Sequence, residues 1–234
     1  MRYIWILLIF FAMNNAFCQD AAASRDQRPS IEVSGNATVK VPPDLVRINI
    51  GIVTRAATAQ EAATQNAQKM DQVGNQLHKL LPRDAQMKTI NYSLAPVYVY
   101  PQGGGEAKIT GYTASNTVQI ESPDLAGVGK LIDASTSAGA NNIESLEFLL
   151  KDETAARSRA LKEAAVHARS KADALASALN LKIVRILRVE ESTGNVVPIR
   201  VQSMMKSEMA APSTPVESGS LQIDANVTLS VEVQ

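Results

Sequence analysis

Leu221-Gln222-Ile223-Asp224-Ala225-Asn226-Val227-Thr228-Leu229-Ser230-Val231-Glu232-Val233 alternates an apolar with a polar residue over its whole length. A period of two places every second side chain on one face, so this stretch reads as a strand with one buried and one wet face. The same pattern stands at the other end of the chain. Ile31, Val33, Ala37, Val39 and Val41 share a face opposite Glu32, Ser34, Asn36, Thr38 and Lys40. Pro42-Pro43-Asp44 breaks that strand, and Val46, Ile48, Ile50 and Ile52 mark the next. Such alternation belongs to antiparallel sheet covered on one side.

Inward from both ends the period changes. Thr58-Ala59-Gln60-Glu61 is a capping box that opens a helix. Ala63, Ala67, Met70, Gly74, Leu77 and Leu81 then form its expected core stripe, and Pro82 ends it. Strands are expected over Met87 to Tyr100 and Ile109 to Glu121, joined by the flexible tip Pro101-Gln102-Gly103-Gly104-Gly105. Ser122-Pro123 starts a short helix with Leu125, Val128 and Ile132 inward. Ile143 to Leu150 reads as a strand. Asp152 caps a long helix with the stripe Leu161, Ala165, Ala168, Ala172, Leu175 and Leu179. Asn180 suits the left-handed position past its end. Leu181 to Glu190 is another strand. Residues 192–220, rich in Ser, Pro, Met and Gly, read as a mobile loop in which Val196 to Val201 can extend a strand. The expected fold class is α+β: antiparallel sheet with helices packed on one side, in the order β-β-α-β-β-α-β-α-β-β. Strand, long helix, strand, tip, strand occurs over Leu45 to Glu121 and again over Ile143 to Val233, a repeat of order only.

Composition removes some function classes. Lys plus Arg equals Asp plus Glu at 23 each, so there is no field of one sign to gather nucleic acid. Residues 1–18 have the form of a secretory signal peptide. Arg2 supplies a positive charge, Ile4 to Met13 is almost unbroken apolar sequence, and Ala16 and Cys18 are the small residues before a cut at Gln19. A cut within Ala21-Ala22-Ala23 is the alternative. Lipid attached at Cys18 is another, although such sites want a small residue where Phe17 stands. Residues 19–30 read as a flexible lead-in and 31–234 as the folded domain. The expected compartment is the periplasm, with outer-membrane association as an extension of that reading.

Several short patterns in order resemble the SIMPL-domain family. They are Gly35-Asn36-Ala37-Thr38-Val39-Lys40-Val41-Pro42-Pro43-Asp44, Thr89-Ile90-Asn91-Tyr92-Ser93-Leu94-Ala95-Pro96-Val97-Tyr98 and Ile109-Thr110-Gly111-Tyr112-Thr113-Ala114-Ser115-Asn116. Asp124-Leu125, Val128-Gly129, Leu131-Ile132-Asp133 and Gly139-Ala140-Asn141 follow, then Lys171-Ala172 and Leu175-Ala176. One departure is Asn180-Leu181-Lys182, where the family often carries glycines. The resemblance implies an exported α+β protein with no agreed activity, linked to oxidative-stress tolerance, immunogenicity and self-assembly. It implies no catalytic residues.

No chemistry-bearing motif survives comparison with a plainer reading. His78 and His167 lie beside the apolar stripes, and His167 has Glu163 and Lys171 one turn away, the neighbours of a solvated face. Gly103-Gly104-Gly105-Glu106-Ala107-Lys108 lacks the ending of a phosphate loop and precedes a strand. Gly127-Val128-Gly129 has Ile132 where a dinucleotide fingerprint needs its third glycine. Met204, Met205 and Met209 offer thioethers suited to Cu(I) or to oxidation, against ordinary packing. Tyr92, Tyr98, Tyr100 and Tyr112 cluster on the middle strands. Tyr98 and Tyr100 oppose Val97 and Val99, so the hairpin end is either a contact surface or covered by the late loop. The sequence therefore predicts no catalytic, cofactor-binding or metal residues and no enzyme. It predicts a self-assembling envelope protein, a homo-oligomer with room for an envelope or membrane-associated partner. The alternative is a binding module for a small molecule, peptide or metal ion.

Overall fold

The structure is a computed structural model that describes residues 28–101, 105–194, 197–199 and 214–234. The leader, the lead-in to Gln27, most of the hairpin tip and the methionines at 204, 205 and 209 lie outside the described residues. The elements are β1 (Ser30–Val41), β2 (Leu45–Ala56), α1 (Ala59–Leu80), β3 (Gln86–Val99), β4 (Lys108–Ser122), α2 (Val128–Ser137), β5 (Asn142–Leu149), α3 (Thr154–Ala178), β6 (Ile183–Thr193), β7 (Val197–Ile199) and β8 (Ser220–Val233). The fold is α+β, in the expected order, with the three-residue β7 added where the sequence allowed a strand.

The strands form two antiparallel sheets. One has the order β1-β8-β6, with β7 also on β8; the other has the order β3-β4-β2-β5. We call the first, with α3, lobe A, and the second, with α1 and α2, lobe B. Each has its own core. Lobe A buries Val39, Ile223, Val227 and Val231 against Ala160, Ala164, Ala168, Ala172 and Ala176. Lobe B buries Ile48, Ile50, Ile52, Val118 and Ile120 against Val73, Leu77 and Leu131. The repeat of order is therefore broken in space. β5, which opens the second unit, pairs with β2 in lobe B, and β1 takes the place beside β8. Lobe B is a continuous stretch inserted between β1 and the rest of lobe A.

Two chain crossings join the lobes and are bonded to each other. The Asp44 amide donates to the Leu149 carbonyl at 3.1 Å, and the Lys151 amide donates to the Asp44 carboxylate at 2.7 Å. A second tie lies further out. Thr214, ahead of β8, donates from its amide (3.2 Å) and its hydroxyl (2.6 Å) to the two carboxylate oxygens of Asp133 on α2.

The helix faces agree with the sequence reading only in part: Met70, Leu77 and Leu81 at α1 and Ala168 and Ala172 on α3 face the cores as expected, and others do not. In α1 the buried residues are Ala62, Asn66, Val73 and Leu77, while Ala67 is exposed. In α3 they are the five alanines of the core, whereas Leu175 and Leu179 are 45% and 60% exposed. The reason for the latter is visible at Gly35. A Cβ there would stand 2.2 Å from the Ala164 carbonyl oxygen and 2.3 Å from the Ala168 amide nitrogen. α3 lies directly on the β1 backbone, a distance that only alanine against glycine allows. α2 starts at Val128 rather than at Pro123, because the Ser122 hydroxyl accepts from the Asp124 amide and Asp124 in turn accepts from the Gly127 amide at 2.9 Å. The Thr58 cap and the left-handed Asn180 (φ 55°) are as the sequence indicated.

Candidate functional site

β3 runs along one edge of lobe B and is exposed on both faces. Tyr92, Tyr98, Val99 and Ile109 are each more than half exposed, Tyr100 is 74% exposed, and Ile90 and Leu94 join them. The four tyrosines named by the sequence thus fall on one hairpin, with Tyr112 the most covered of them. An edge strand carries unpaired N–H and C=O groups that another strand can use. Here a long edge of that kind is combined with an aromatic surface, the residue type enriched at protein contacts.

The β1 edge is treated differently. Three side chains of α3 occupy its outward carbonyls. Lys171 donates to Ser34 at 2.7 Å, the His167 Nδ1 faces the Asn36 carbonyl at 2.7 Å, and Arg159 reaches Lys40 at 3.4 Å. A carbonyl can only accept, so Nδ1 carries the proton in that contact. The helical spacing that suggested a solvated histidine also carries these groups along the strand. His167 is exposed, but it is part of this seal. His78 sits in the last turn of α1, away from it.

Other polar side chains tie the strands and helices together. Asn66 is fully buried and donates both hydrogens of its amide, to the Ile52 carbonyl at 2.8 Å and the Ala114 carbonyl at 3.1 Å. Asn141 uses its side-chain amide as a strand would, accepting from the Val53 amide and donating to the Val53 carbonyl, each at 2.8 Å. Sequence reasoning missed both. Asn66 stands four residues after Ala62 and seven before Val73, which is the only signal of its burial. On the outer face of lobe A, Asp224 accepts from the Thr38 hydroxyl at 2.6 Å and from Gln222. Those bonds hold its carboxyl below the usual range, the Thr38 bond being the larger cause. Asp152 is lowered in the same way by the Thr154 hydroxyl and then by the Thr154 amide.

Among the described residues no three His, Cys, Asp or Glu side chains gather as metal ligands, and no helix is long and apolar enough to cross a membrane. Gly127 and Gly129 flank Val128 at the start of α2, where the Asp124 carboxylate accepts from the Gly127 amide. Between the end of α1 and the start of α2 lies a cavity of about 70 Å³, walled by Val46, Ile48, Ile120, Val128 and Leu131. Ligand pockets are typically ~300–1,000 Å³.

The fold and these edges define a class: a two-lobed α+β protein with an aromatic, open sheet edge. The chain belongs to the SIMPL family, described as a protein of unknown function (DUF541), whose model matches residues 31–231. It is similar to the 26 kDa periplasmic immunogenic protein of Brucella melitensis, with 28% identity over 230 residues, 94% of this chain and 92% of that one. The protein of the same name from Brucella abortus matches equally. The uncharacterized protein YggE of Escherichia coli K12 is 26% identical over 210 residues, 88% of this chain and 84% of that one.

Proposed function

We propose that the chain is a non-catalytic, exported protein of the periplasm that self-assembles through its β3–β4 hairpin and serves a protective role in the cell envelope, oxidative stress included. The observation that carries this reading is the exposed row Tyr92, Tyr98 and Val99 on the edge strand β3, joined at the hairpin end by Tyr100 and by Ile109 of β4. The periplasmic names of the Brucella relatives support the compartment. The form of residues 1–18 supports export.

Light scattering on a sizing column, with the chain from Gln19 onward, tests it. The expected result is an assembly of several copies, which Tyr98→Ser with Tyr100→Ser dissociates. A wild-type mass equal to one chain, or an unchanged mass in the double variant, removes the reading. The rival binding module would have to use a surface depression rather than the apolar cavity beside α2, which is too small for an ordinary ligand. Its copper version rests on Met204, Met205 and Met209. Equal copper uptake by the protein and its triple leucine variant would end it.

A further inference from the structure

The outer face of the lobe A sheet carries a depression of about 600 Å³, in the range of ligand pockets. Its floor is Thr228 and Ser230 of β8, two short hydroxyl side chains. Its walls are Ser30 and Glu32 of β1 on one side and Arg188 and Glu190 of β6 on the other. Beyond Ser230 the face is filled by Glu232, which Arg185 holds at 2.6 Å and Arg28 at 3.7 Å. The strand registers order the charges. Glu32 and Arg188 both stand opposite Ser230, so one row across the sheet runs carboxylate, hydroxyl, guanidinium. Arg188 reaches this face through a bulge. In a regular strand it would share the face of Ile186, which is opposite the buried Val231. Leu187, unpaired between them, shifts Arg188 to the outer face and itself lines the depression. Bulges re-aim side chains in this way next to active sites. Arg188 pairs with Glu190 along its own strand, and its side chain is 71% exposed. The Glu32 carboxylate has no partner among the described residues.

We propose that this depression binds a small zwitterion of the amino-acid or short-peptide class, with its ammonium on Glu32 and its carboxylate on Arg188. An ammonium has three donors and needs three acceptors; the Glu32 carboxylate and the Ser30 and Ser230 hydroxyls stand together at that wall. A carboxylate takes two parallel bonds from a guanidinium, and the five donors of Arg188 let it keep Glu190, which fixes its direction. Leu187 gives an aliphatic side chain of the ligand an apolar contact. β1 and β6 are two strand spacings apart, roughly 10 Å. An extended dipeptide, about 7 Å long, spans more of that gap than a single amino acid does. The charge order also selects against simpler ions. A lone cation meets Arg188, and a lone anion meets Glu32 and Glu190. The site goes beyond the assembly reading and does not depend on it, since it uses the face of a sheet within one chain.

Calorimetric titration of the chain from Gln19 onward with L-alanyl-L-leucine tests it. Saturable binding at a single site per chain is expected. Glu32→Gln and Arg188→Gln, both at exposed positions, should each weaken it roughly tenfold or more, with circular dichroism as the folding control. Blocking the ligand supplies the cross-check. Acetylating its amine should weaken binding to the parent by the same factor and to Glu32→Gln no further; amidating its carboxyl should do likewise with Arg188→Gln. Free L-leucine binding as tightly as the dipeptide would support the zwitterion site and name the single amino acid as its ligand. No saturable binding at millimolar dipeptide, binding that ignores both substitutions, or putrescine binding as tightly as the dipeptide overturns the proposal. The readout is ligand bound per chain, so a monomeric protein that binds the dipeptide supports this site while it removes the assembly reading.

Discussion

Lobe A and lobe B solve the same packing problem with opposite materials. In lobe A a helix whose buried face is all alanine rests on the backbone of β1, close enough that Gly35 has no room for a Cβ. In lobe B, α1 and α2 stand off from the sheet, and the space is filled by Ile48, Ile50, Ile52, Val73, Leu77, Ile120 and Leu131. Every aromatic residue among those described, Tyr92, Tyr98, Tyr100, Tyr112 and Phe148, is in lobe B. One lobe is held by close approach and the other by volume. Lobe A should therefore be sensitive to added atoms, and lobe B to removed ones.

The largest effect should come from taking volume out of lobe B. Ile50→Ala leaves a cavity under α1 and should cost about 4 kcal/mol in urea unfolding. Hydrogen exchange should quicken in 45–149 far more than in β8; equal loss in both lobes would mean they share one cooperative core. The reverse experiment comes next. Gly35→Val must lift α3 from β1 and should cost about 3 kcal/mol, seen as lost exchange protection in α3 and β8 with β2 and β4 unaffected. A neutral result would show that α3 can slide and that close approach is not what holds lobe A. Third is the polar point inside lobe B. Asn66→Ala removes two buried hydrogen bonds and should cost about 2 kcal/mol, whereas Gln65→Ala, at the exposed position beside it, should be silent.

The tie between the lobes is expected to matter less for stability than for shape. Asp133→Ala removes both bonds to Thr214, and the change in unfolding free energy should stay below about 1 kcal/mol. Small-angle scattering should nonetheless show a wider spread of lobe separations; an identical profile would place the rigidity in the Asp44 crossing instead. The smallest effect is acidic and confined to lobe A. Asp224 and Asp152 have depressed carboxyl pKa values. The stability they contribute is therefore present above their unfolded value of about 3.9 and is lost as pH falls through the folded value. Asp224→Asn should flatten that acid limb slightly, read as the pH dependence of thermal unfolding between pH 5 and 2 in the variant against the parent; an unchanged limb would show that the Thr38 bond does not survive in solution.

The strands were legible in the sequence because period two leaves little choice of face. Leu221 to Val233 and Ile31 to Val41 needed nothing else. The helix faces were legible only in part, and the cause is specific. In α3 the large Leu175 and Leu179 draw the eye to a stripe, yet the true contact surface is made of the residues with least to bury, because Gly35 brings the helix so near. In α1 a polar Asn66 occupies a core position, which a hydrophobic stripe cannot reveal. The division into two sheets was also hidden. It depends on β1 finding β8 and β5 finding β2, partners set by tertiary geometry and not by neighbouring sequence. For the candidate site, the tyrosine hairpin could be named from residues alone. The seal on β1 by Arg159, His167 and Lys171 could not, since nothing local says which strand lies beneath a helix.

The insertion of lobe B between β1 and α3 also sets an order of events in time. Lobe B is continuous in sequence, and its strands close over short loops. β1 is made early but has β8 as its sole strand partner among the described residues, with Ser30 opposite Glu232 at the far end of the chain. Contacts of that sequence separation form slowly. A chain delivered from its N-terminus therefore completes lobe B while β1 waits, its apolar face uncovered, for the last residues to arrive. The final step of folding is then the one that joins the two ends, and a chain shortened by its last strand is expected to keep lobe B and to lose the sheet of lobe A, in which β1 and β6 both pair with β8.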